Sequence, residues 1–314
     1  MDNVALKDGG CGMEQELRLA RLTTLVANCC SGNGLHQTPL EYVQLLRDSE
    51  AGRGRIPWMY EPMLVIAVQG KKNIYLDGNR YGYNPGQFMA LFMPMVVECE
   101  LIEASVEKPL LGIGIKLDRH RLAKLLLKME SVEQSPAQAP HRPEQMDTSG
   151  IFSAPLNDAL LDAVLRLMGT LQNPVEAIVL GDAIIDEIYY RLLTNERGGA
   201  LRFLLRQQGQ IQQISKAVDY LHERLDQAVS VDELAAIAHM STSGFHKKFK
   251  EVMHLSPLQY TKLVRLNTAR TYLMEGKTVS ESGYMVGYNS PAQFSREYKR
   301  QFGMAPSATV AIAG

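Results

Sequence analysis

Cysteine, long apolar runs and net charge are all scarce in this chain of 314 residues. Its four cysteines, Cys11, Cys29, Cys30 and Cys99, form no disulfide framework and show no paired Cys-x-x-Cys spacing for zinc. The adjacent pair Cys29-Cys30 leaves two interpretations open, a redox sensor or small apolar residues on a buried helix. The cysteine pattern therefore argues against a disulfide-stabilised or zinc-binding protein.

Membrane and secretion segments are also missing from the pattern. No stretch approaches the roughly eighteen uncharged apolar residues that a membrane span requires. The amino-terminal residues lack the basic-then-apolar order of a signal segment. We therefore expect a cytoplasmic protein without membrane contact.

The charge is low overall but unevenly distributed. The formal net charge of −1 argues against a protein that coats nucleic acid over its whole surface. Residues 241–302 nevertheless contain ten Lys and Arg against four Asp and Glu, whereas residues 1–209 contain 21 against 25. A basic module on a faintly acidic carrier is typical of a protein that contacts phosphates with one end only.

A first pair of short helices is predicted after residue 229. Ser230 and Glu233 fit a capping box, in which the Ser230 hydroxyl accepts from the Glu233 amide and the Glu233 carboxylate accepts from the Ser230 amide. Ser241 is placed to cap a second helix, predicted over residues 242–251, that carries polar and basic side chains. Two short helices with an exposed basic second member are typical of a helix-turn-helix unit.

A second copy of this pattern follows about fifty residues later. Thr278 and Glu281 form another capping box, and Gly287 lies in the predicted turn. Ser290 caps the next helix, with Pro291 at its first position, where a missing amide hydrogen costs nothing. In both copies, the aromatic residues at i, i+4 spacing are predicted to be core, namely Phe245, Phe249, Phe294 and Tyr298.

A long helix is predicted between the two copies, over residues 257–275, capped by Ser256 and ended by Gly276. At 1.5 Å per residue it spans roughly 28 Å. That length suits two reading helices held about one turn of DNA apart, near 34 Å.

These residues resemble a known family of regulators. The matching residues are Ser256-Pro257-Leu258-Gln259-Tyr260, Arg265-Leu266, Ala269-Arg270, and the run from Val286 to Gly303 with Pro306. Residues 211–306 thus resemble the DNA-binding domain of the AraC/XylS family of bacterial transcription regulators. The chain departs from the family at Gly283, expected to weaken its helix by about 1 kcal/mol relative to Ala, and in a tail without the usual aromatic and basic residues.

The resemblance implies two helix-turn-helix units in successive major grooves. The residues it places against bases are Thr242, Ser243, His246 and Lys247 in one groove, and Pro291, Ala292, Gln293, Ser295 and Arg296 in the other. We expect Arg296 to reach guanine. Gln293 has two alternatives, contact with adenine or exposure to solvent. His246 also has two, contact with a base edge or with a phosphate. Lys250 and Lys299 are expected on phosphates, the alternative being an ordinary solvated cationic face.

The pattern of the amino-terminal part predicts a helix followed by short strands. The helix is predicted over residues 14–30, and the strands over residues 63–69, 72–76, 87–92, 96–102 and 110–117. Short strands at this spacing predict a small antiparallel barrel or jelly roll.

Residues 58–62, 69–71 and 104–105 resemble the cupin-like amino-terminal domain of one branch of the same family, which implies effector binding. All seven histidines fall outside residues 57–118, so no metal site is expected there. The candidate effector residues are Trp58, Tyr60, Tyr75 and Cys99, with ordinary core or dimer surface as the alternative.

Further helices are predicted over residues 118–129, 155–171 and 174–194, with a loop at 133–149 and a linker at 207–210. The predicted organisation is a flexible tail (1–13), a cupin-like effector and dimerisation domain with a helical connector (14–205), and a DNA-binding domain (206–314). The fold class is α+β: an antiparallel β-barrel with flanking helices, then an all-α domain.

The interpretation that follows is a cytoplasmic, sequence-specific transcription regulator, not an enzyme. Its expected partners are double-stranded promoter DNA, RNA polymerase, an unidentified small-molecule effector and a second copy in a homodimer; no cofactor, metal or catalytic residue is expected. Two alternatives stay open. One is a ligand-independent regulator controlled by its abundance, and the other is a DNA-binding module fused to a cysteine-based enzyme or redox sensor.

Overall fold

The computed structural model describes residues 8–132, 151–195, 198–206 and 210–313. In this part of the chain the strands are β1 Gly34–Gln37, β2 Val43–Asp48, β3 Ile56–Tyr60, β4 Met63–Gln69, β5 Lys71–Leu76, β6 Asn79–Tyr83, β7 Gln87–Leu91, β8 Met95–Glu103, β9 Leu110–Lys116 and β10 Ile151–Pro155. The helices are α1 Asp8–Asn28, α2 Arg119–Val132, α3 Asp158–Thr170, α4 Pro174–Thr194, α5 Gly198–Arg206, α6 Gln210–His222, α7 Val231–Ile237, α8 Thr242–Met253, α9 Pro257–Met274, α10 Val279–Met285, α11 Pro291–Phe302 and α12 Pro306–Ala313.

The strands form two antiparallel sheets. A six-stranded sheet has the order β1-β2-β9-β4-β7-β10, and a four-stranded sheet has the order β3-β8-β5-β6. The predicted α+β class is confirmed. The described strands form two facing sheets, however, and not one closed hydrogen-bonded barrel.

Alternating side chains of β4 separate two hydrophobic cores, as the pleat of a strand requires. Leu64, Ile66 and Val68 belong to the core that the six-stranded sheet shares with helices α1 to α5. Val65 and Ala67 point the other way, into the space between the sheets. That second core continues without interruption into helices α6 to α9, so both predicted domains share it.

Several contacts join the carboxyl-terminal helices to the sheets. Helix α9 contacts the edge strand β3, and its Tyr260 hydroxyl donates to the Pro94 carbonyl at 3.2 Å. His254 Nδ1 lies 3.3 Å from Asp77 Oδ2 in the β5–β6 turn. Arg119 on α2 pairs with Asp219 on α6 at 2.9 Å. Packing a helix against an edge strand is a common way of protecting it, and here these contacts join the two predicted domains.

One predicted helix begins later than expected. The sequence predicts a helix from residue 155, but Ile151–Pro155 is a strand that pairs with β7. The helix starts after Asn157, whose side chain accepts a hydrogen bond from the Leu160 amide at 2.9 Å. Pairing with a distant strand therefore takes precedence over the local helical pattern.

Two other differences concern the ends of the chain. Residues 8–13 of the predicted flexible tail are helical, and residues 1–7 lie outside the described part. The predicted loop and linker fall almost entirely on residues 133–150 and 207–209, also outside it. The carboxyl-terminal residues form an unpredicted helix, α12, whose Thr309 hydroxyl lies 2.8 Å from the Tyr298 hydroxyl. None of the described helices is both long and apolar enough to cross a membrane.

Candidate nucleic-acid interface

The first helix-turn-helix unit consists of α7 and α8. Ser230 Oγ accepts from the Glu233 amide at 3.1 Å, as predicted, but the reciprocal bond of the capping box is not formed. The Glu233 carboxylate instead accepts from the Tyr220 hydroxyl, because α6 brings that ring beside it. Ser241 caps α8 by accepting from the Gly244 amide at 3.2 Å.

Helix α8 has one buried and one exposed side. Phe245 and Phe249 are fully buried, with ring centroids 5.3 Å apart. The predicted DNA-contacting residues on this helix all lie on its exposed side, namely Thr242, Ser243, His246, Lys247 and Lys250. The Thr242 hydroxyl donates to Asp232 at 2.6 Å, so its oxygen is left to accept from a partner.

The second unit, α10 and α11, repeats this arrangement. Thr278 and Glu281 make both bonds of the predicted capping box, and Ser290 caps α11 through the Gln293 amide at 3.3 Å. Phe294 and Tyr298 are fully buried. Of the predicted contact residues, Pro291, Ala292, Gln293, Arg296 and Lys299 are exposed and Ser295 is half-buried.

Gly283 has a packing role that the sequence did not reveal. A Cβ at this position would lie 3.1 Å from Phe294 Cδ1, inside the contact between α10 and α11. The glycine therefore allows the two helices to approach closely. This packing matters more than the expected loss of helix propensity at the same position.

The two exposed faces carry cations at matched positions. Lys247 and Lys250 on α8 correspond to Arg296 and Lys299 on α11, each pair 49 residues apart. Within the described residues none of the four has an ion-pair partner, whereas Lys248 on the side of α8 pairs with Glu251 at 3.0 Å. Unpaired cations on two similar faces are free to bind phosphates.

The long helix α9 holds the two units together through contacts that sequence analysis missed. Arg265 Nη2 donates to the Gln227 carbonyl in the loop before α7, at 2.5 Å. The same guanidinium lies against Gly287 in the turn of the second unit, where a Cβ would come within 3.0 Å of Nη2 and 2.7 Å of the Leu225 carbonyl oxygen. The second helix-turn-helix unit thus contacts the loop that precedes the first, so the separation of the two units does not depend on the length of α9 alone.

A charged network also joins α9 to α11. Lys262 Nζ pairs with Glu297 Oε2 at 3.0 Å, and the Tyr288 hydroxyl donates to the same oxygen at 2.9 Å. The family resemblance includes Arg265 but gives it no role, and no pattern in the sequence marks Lys262, because both look like solvent-facing positions of a helix.

The structure separates the four candidate effector residues into two groups. Tyr60 and Cys99 are buried in the core between the sheets, and half-buried Trp58 lies on the same face of β3 as Tyr60. Tyr75 lies on the opposite face of the four-stranded sheet, where its hydroxyl donates to Glu100 at 2.7 Å and Arg55 stacks on its ring.

Lys72 lies beside Tyr60, although no signal in the sequence marks it as a site residue. Its Nζ donates to the Tyr60 hydroxyl at 3.1 Å and lies 5.7 Å from the ring centroid. Burial raises the pKa of Tyr60 to about 12, and burial also raises the pKa of Cys99 above its ordinary value. Both groups are therefore uncharged near pH 7.

The described residues give little support for a redox-active cysteine or a metal site. Burial raises the pKa of Cys30 to about 11, so this thiol stays protonated near neutral pH, which disfavours the redox-sensor interpretation of the Cys29-Cys30 pair. Among the residues that the structure describes, no three His, Cys, Asp or Glu side chains are grouped to hold a metal ion.

Comparison with known proteins gives two family matches. Residues 39–200, just over half of the chain, match the family described as the AraC-type transcriptional regulator N-terminus. Residues 234–311 match a helix-turn-helix domain family.

Individual relatives are distant. The probable transcriptional regulator LumQ of Photobacterium leiognathi is 32% identical over 90 residues, 28% of this chain and 36% of that protein. The lactose operon transcription activator of Staphylococcus xylosus is 22% identical over 247 residues, which cover 78% of this chain and 82% of that protein. The crystal structure of ToxT from Vibrio cholerae aligns with a TM-score of 0.54 at 9% identity, over 86% of this chain and 97% of that one, a likeness of fold alone. The chain thus spans about a third of the length of the first of these relatives.

Proposed function

This chain belongs to the AraC-type transcriptional regulators, and we propose from this premise that it binds specific DNA sites with both of its helix-turn-helix units. In this proposal α8 and α11 enter successive major grooves. Arg296 reads guanine, and Lys250 and Lys299 bind phosphates on either side of the base contacts. Its site of action is the cytoplasm, where promoter DNA and RNA polymerase are its partners.

One observation carries this proposal. Lys247 and Lys250 recur as Arg296 and Lys299 after the same 49 residues, and in the described part of the chain all four lack an acidic partner. In the amino-terminal domain, by contrast, arginines such as Arg18 and Arg121 are held by carboxylates. Unpaired cations that recur at equivalent positions of two similar helix faces suit a polyanion that is contacted twice.

Hydroxyl-radical footprinting of the full chain tests this function. The DNA is selected from random duplexes by binding, and we expect two protected stretches about one helical turn, near 34 Å, apart. The Lys250→Ala variant is expected to weaken protection at one stretch and not at the other. Lys128→Ala, which removes an exposed cation on α2, serves as the control and should not change the pattern. Protection of a single stretch by the unmodified chain contradicts the proposal.

Effector control is the second part of the proposal. The core between the sheets extends directly into α6 to α9, so a small molecule bound there touches the DNA-binding part. Such a ligand acts by preferring one of two arrangements of the reading units. A regulator controlled only by its abundance is the alternative, and its footprint does not respond to any metabolite.

A homodimer is the third part of the proposal. The first turns of α4 expose Val175, Ile178 and Val179, each at 68–69% of its full area. Exposed apolar side chains on one helix suit contact with the same helix of a second copy. Sedimentation analysis tests this, with Ile178→Glu expected to give a monomer and the exposed Lys128→Ala variant expected to leave the state unchanged.

A further inference from the structure

Lys72 places an ammonium group in the core between the two sheets. It lies on β5 opposite Tyr83 of β6 and Leu101 of β8, on the face that also carries Ile74. Its neighbours in this core are the buried groups Tyr60 and Cys99, not carboxylates. In the described residues Lys72 has no ion-pair partner, whereas the next lysine along the strand, exposed Lys71, pairs with Glu103 at 2.6 Å.

A half-buried ammonium with only neutral neighbours is costly for the folded state. A phenol and a thiol accept hydrogen bonds but do not compensate a charge that burial removes from water. The pKa of Lys72 is raised although burial opposes it, so the group stays protonated and is either hydrated or paired with an anion from outside the chain. An ionisable group that is removed from water without a charged partner is therefore a candidate for a functional site.

We propose that the Lys72 ammonium and the Tyr60 hydroxyl bind the carboxylate of a small organic acid, whose apolar part enters the core between the sheets. This rests on the proposed control by a small-molecule effector and names the chemical class of that effector. Lys72 supplies the opposite charge, and Tyr60, which accepts from Lys72 through its oxygen, retains its hydroxyl proton to donate to the carboxylate.

The composition of this core decides between possible anions. One ammonium balances the single charge of a carboxylate, whereas a phosphate monoester would bring a second charge without a partner. The core also contains the buried methionines Met89, Met93 and Met95. Methionine has three flexible torsions and a polarisable sulfur, so these side chains can repack around an apolar ligand.

A stack of side chains connects this site with the second reading unit. Trp58 lies two residues before Tyr60 on the same face of β3. The Arg270 guanidinium of α9 lies 5.7 Å from the Trp58 ring centroid and 5.2 Å from that of Phe302, at the end of α11. A ligand that moves Tyr60 and Trp58 therefore displaces Arg270, and with it the helix that carries Arg296.

Trp58 is the only tryptophan of the chain, so its fluorescence reports on this site directly. The probes are benzoate, hexanoate and decanoate, their uncharged primary amides, and phenyl phosphate. At least one carboxylate should change the Trp58 emission in a saturable way, while its amide and phenyl phosphate should not. Lys72→Met is expected to weaken this binding at least tenfold and Tyr60→Phe to weaken it less. The neighbouring Lys71→Met variant is the matched control and should bind like the unmodified chain.

A second measurement does not depend on the choice of probe. Because Lys72 is held without a counterion, Lys72→Met should unfold at a higher temperature than the unmodified chain, whereas Lys71→Met should not. If Lys72→Met unfolds at a lower temperature, Lys72 has a structural role and the proposal is wrong.

The remaining outcomes are equally decisive. Equal binding of acids and amides, unchanged binding by Lys72→Met, or no response to any acid overturns the carboxylate site. Footprints recorded on the same samples keep this result separate from the proposed function. Two protected stretches without any response to acids reject the carboxylate site and leave DNA reading intact, whereas loss of the footprint itself rejects the reading function.

Discussion

Gly287 offers the sharpest test of how the two reading units are held. Its backbone is left-handed, with φ at +82°, and a Cβ there would lie 2.7 Å from the Leu225 carbonyl oxygen and 3.0 Å from Arg265 Nη2. A left-handed backbone costs a residue with a Cβ about 1–2 kcal/mol. The contact adds to this, because the turn of the second unit must move away from the loop between α6 and α7.

Gly276 provides a matched control at the end of α9. Its φ is +87°, but no atom lies within 4 Å of the position where a Cβ would be. Gly276→Ala should therefore lose about 1–2 kcal/mol of unfolding free energy from backbone strain alone. Gly287→Ala should lose more, and the difference isolates the contact of this turn with the α6–α7 loop and Arg265.

DNA binding should separate the two variants further. Fluorescence anisotropy is measured on duplexes in which the spacing between two half-sites is varied by one or two base pairs. We expect Gly287→Ala to bind the best-spaced duplex more weakly by about 0.5–3 kcal/mol, the usual range of coupling between groups in contact. We also expect it to discriminate less between spacings. If both variants show the same stability and the same spacing preference, the Arg265–Gly287 contact does not set the separation of the units.

Three further predictions concern single side chains. Arg296→Ala should weaken binding to the selected site by about 1–3 kcal/mol and relax one base preference, because bidentate contact to guanine is lost; equal weakening on random DNA would contradict a base-reading role. Lys250→Ala should lower the salt dependence of binding by about one without changing the preferred sequence, as expected for a phosphate contact, and an altered sequence preference in a selection experiment would refute this. Gly283→Ala should lower the temperature of thermal unfolding, because its Cβ would lie 3.1 Å from the Phe294 ring. This contact opposes the preference of helices for Ala over Gly, about 1 kcal/mol. A higher unfolding temperature would show that the ring moves aside easily.

Local signals in the sequence predicted the DNA-binding part well. Ser241, Ser256 and Ser290 cap the helices that they were expected to cap, because a cap is satisfied by amides only two or three residues away. The buried Phe245 and Phe294 follow from helical spacing in the same way. Glu233 shows the limit of such signals, since α6 brings Tyr220 to the carboxylate that the capping box would have used.

The sequence by itself determined the α+β class, the two repeated units and the faces that expose Lys250 and Lys299, because these depend on periodicity and short-range hydrogen bonds. Only the tertiary structure decided that β10 joins the six-stranded sheet, that Lys72 lies in the core beside Tyr60, and that Arg265 joins the turn of the second unit to the loop before the first. These depend on contacts between residues far apart in the chain. The alternating pattern of a strand does not reveal which of its faces is buried or which side chain a distant strand will bring opposite.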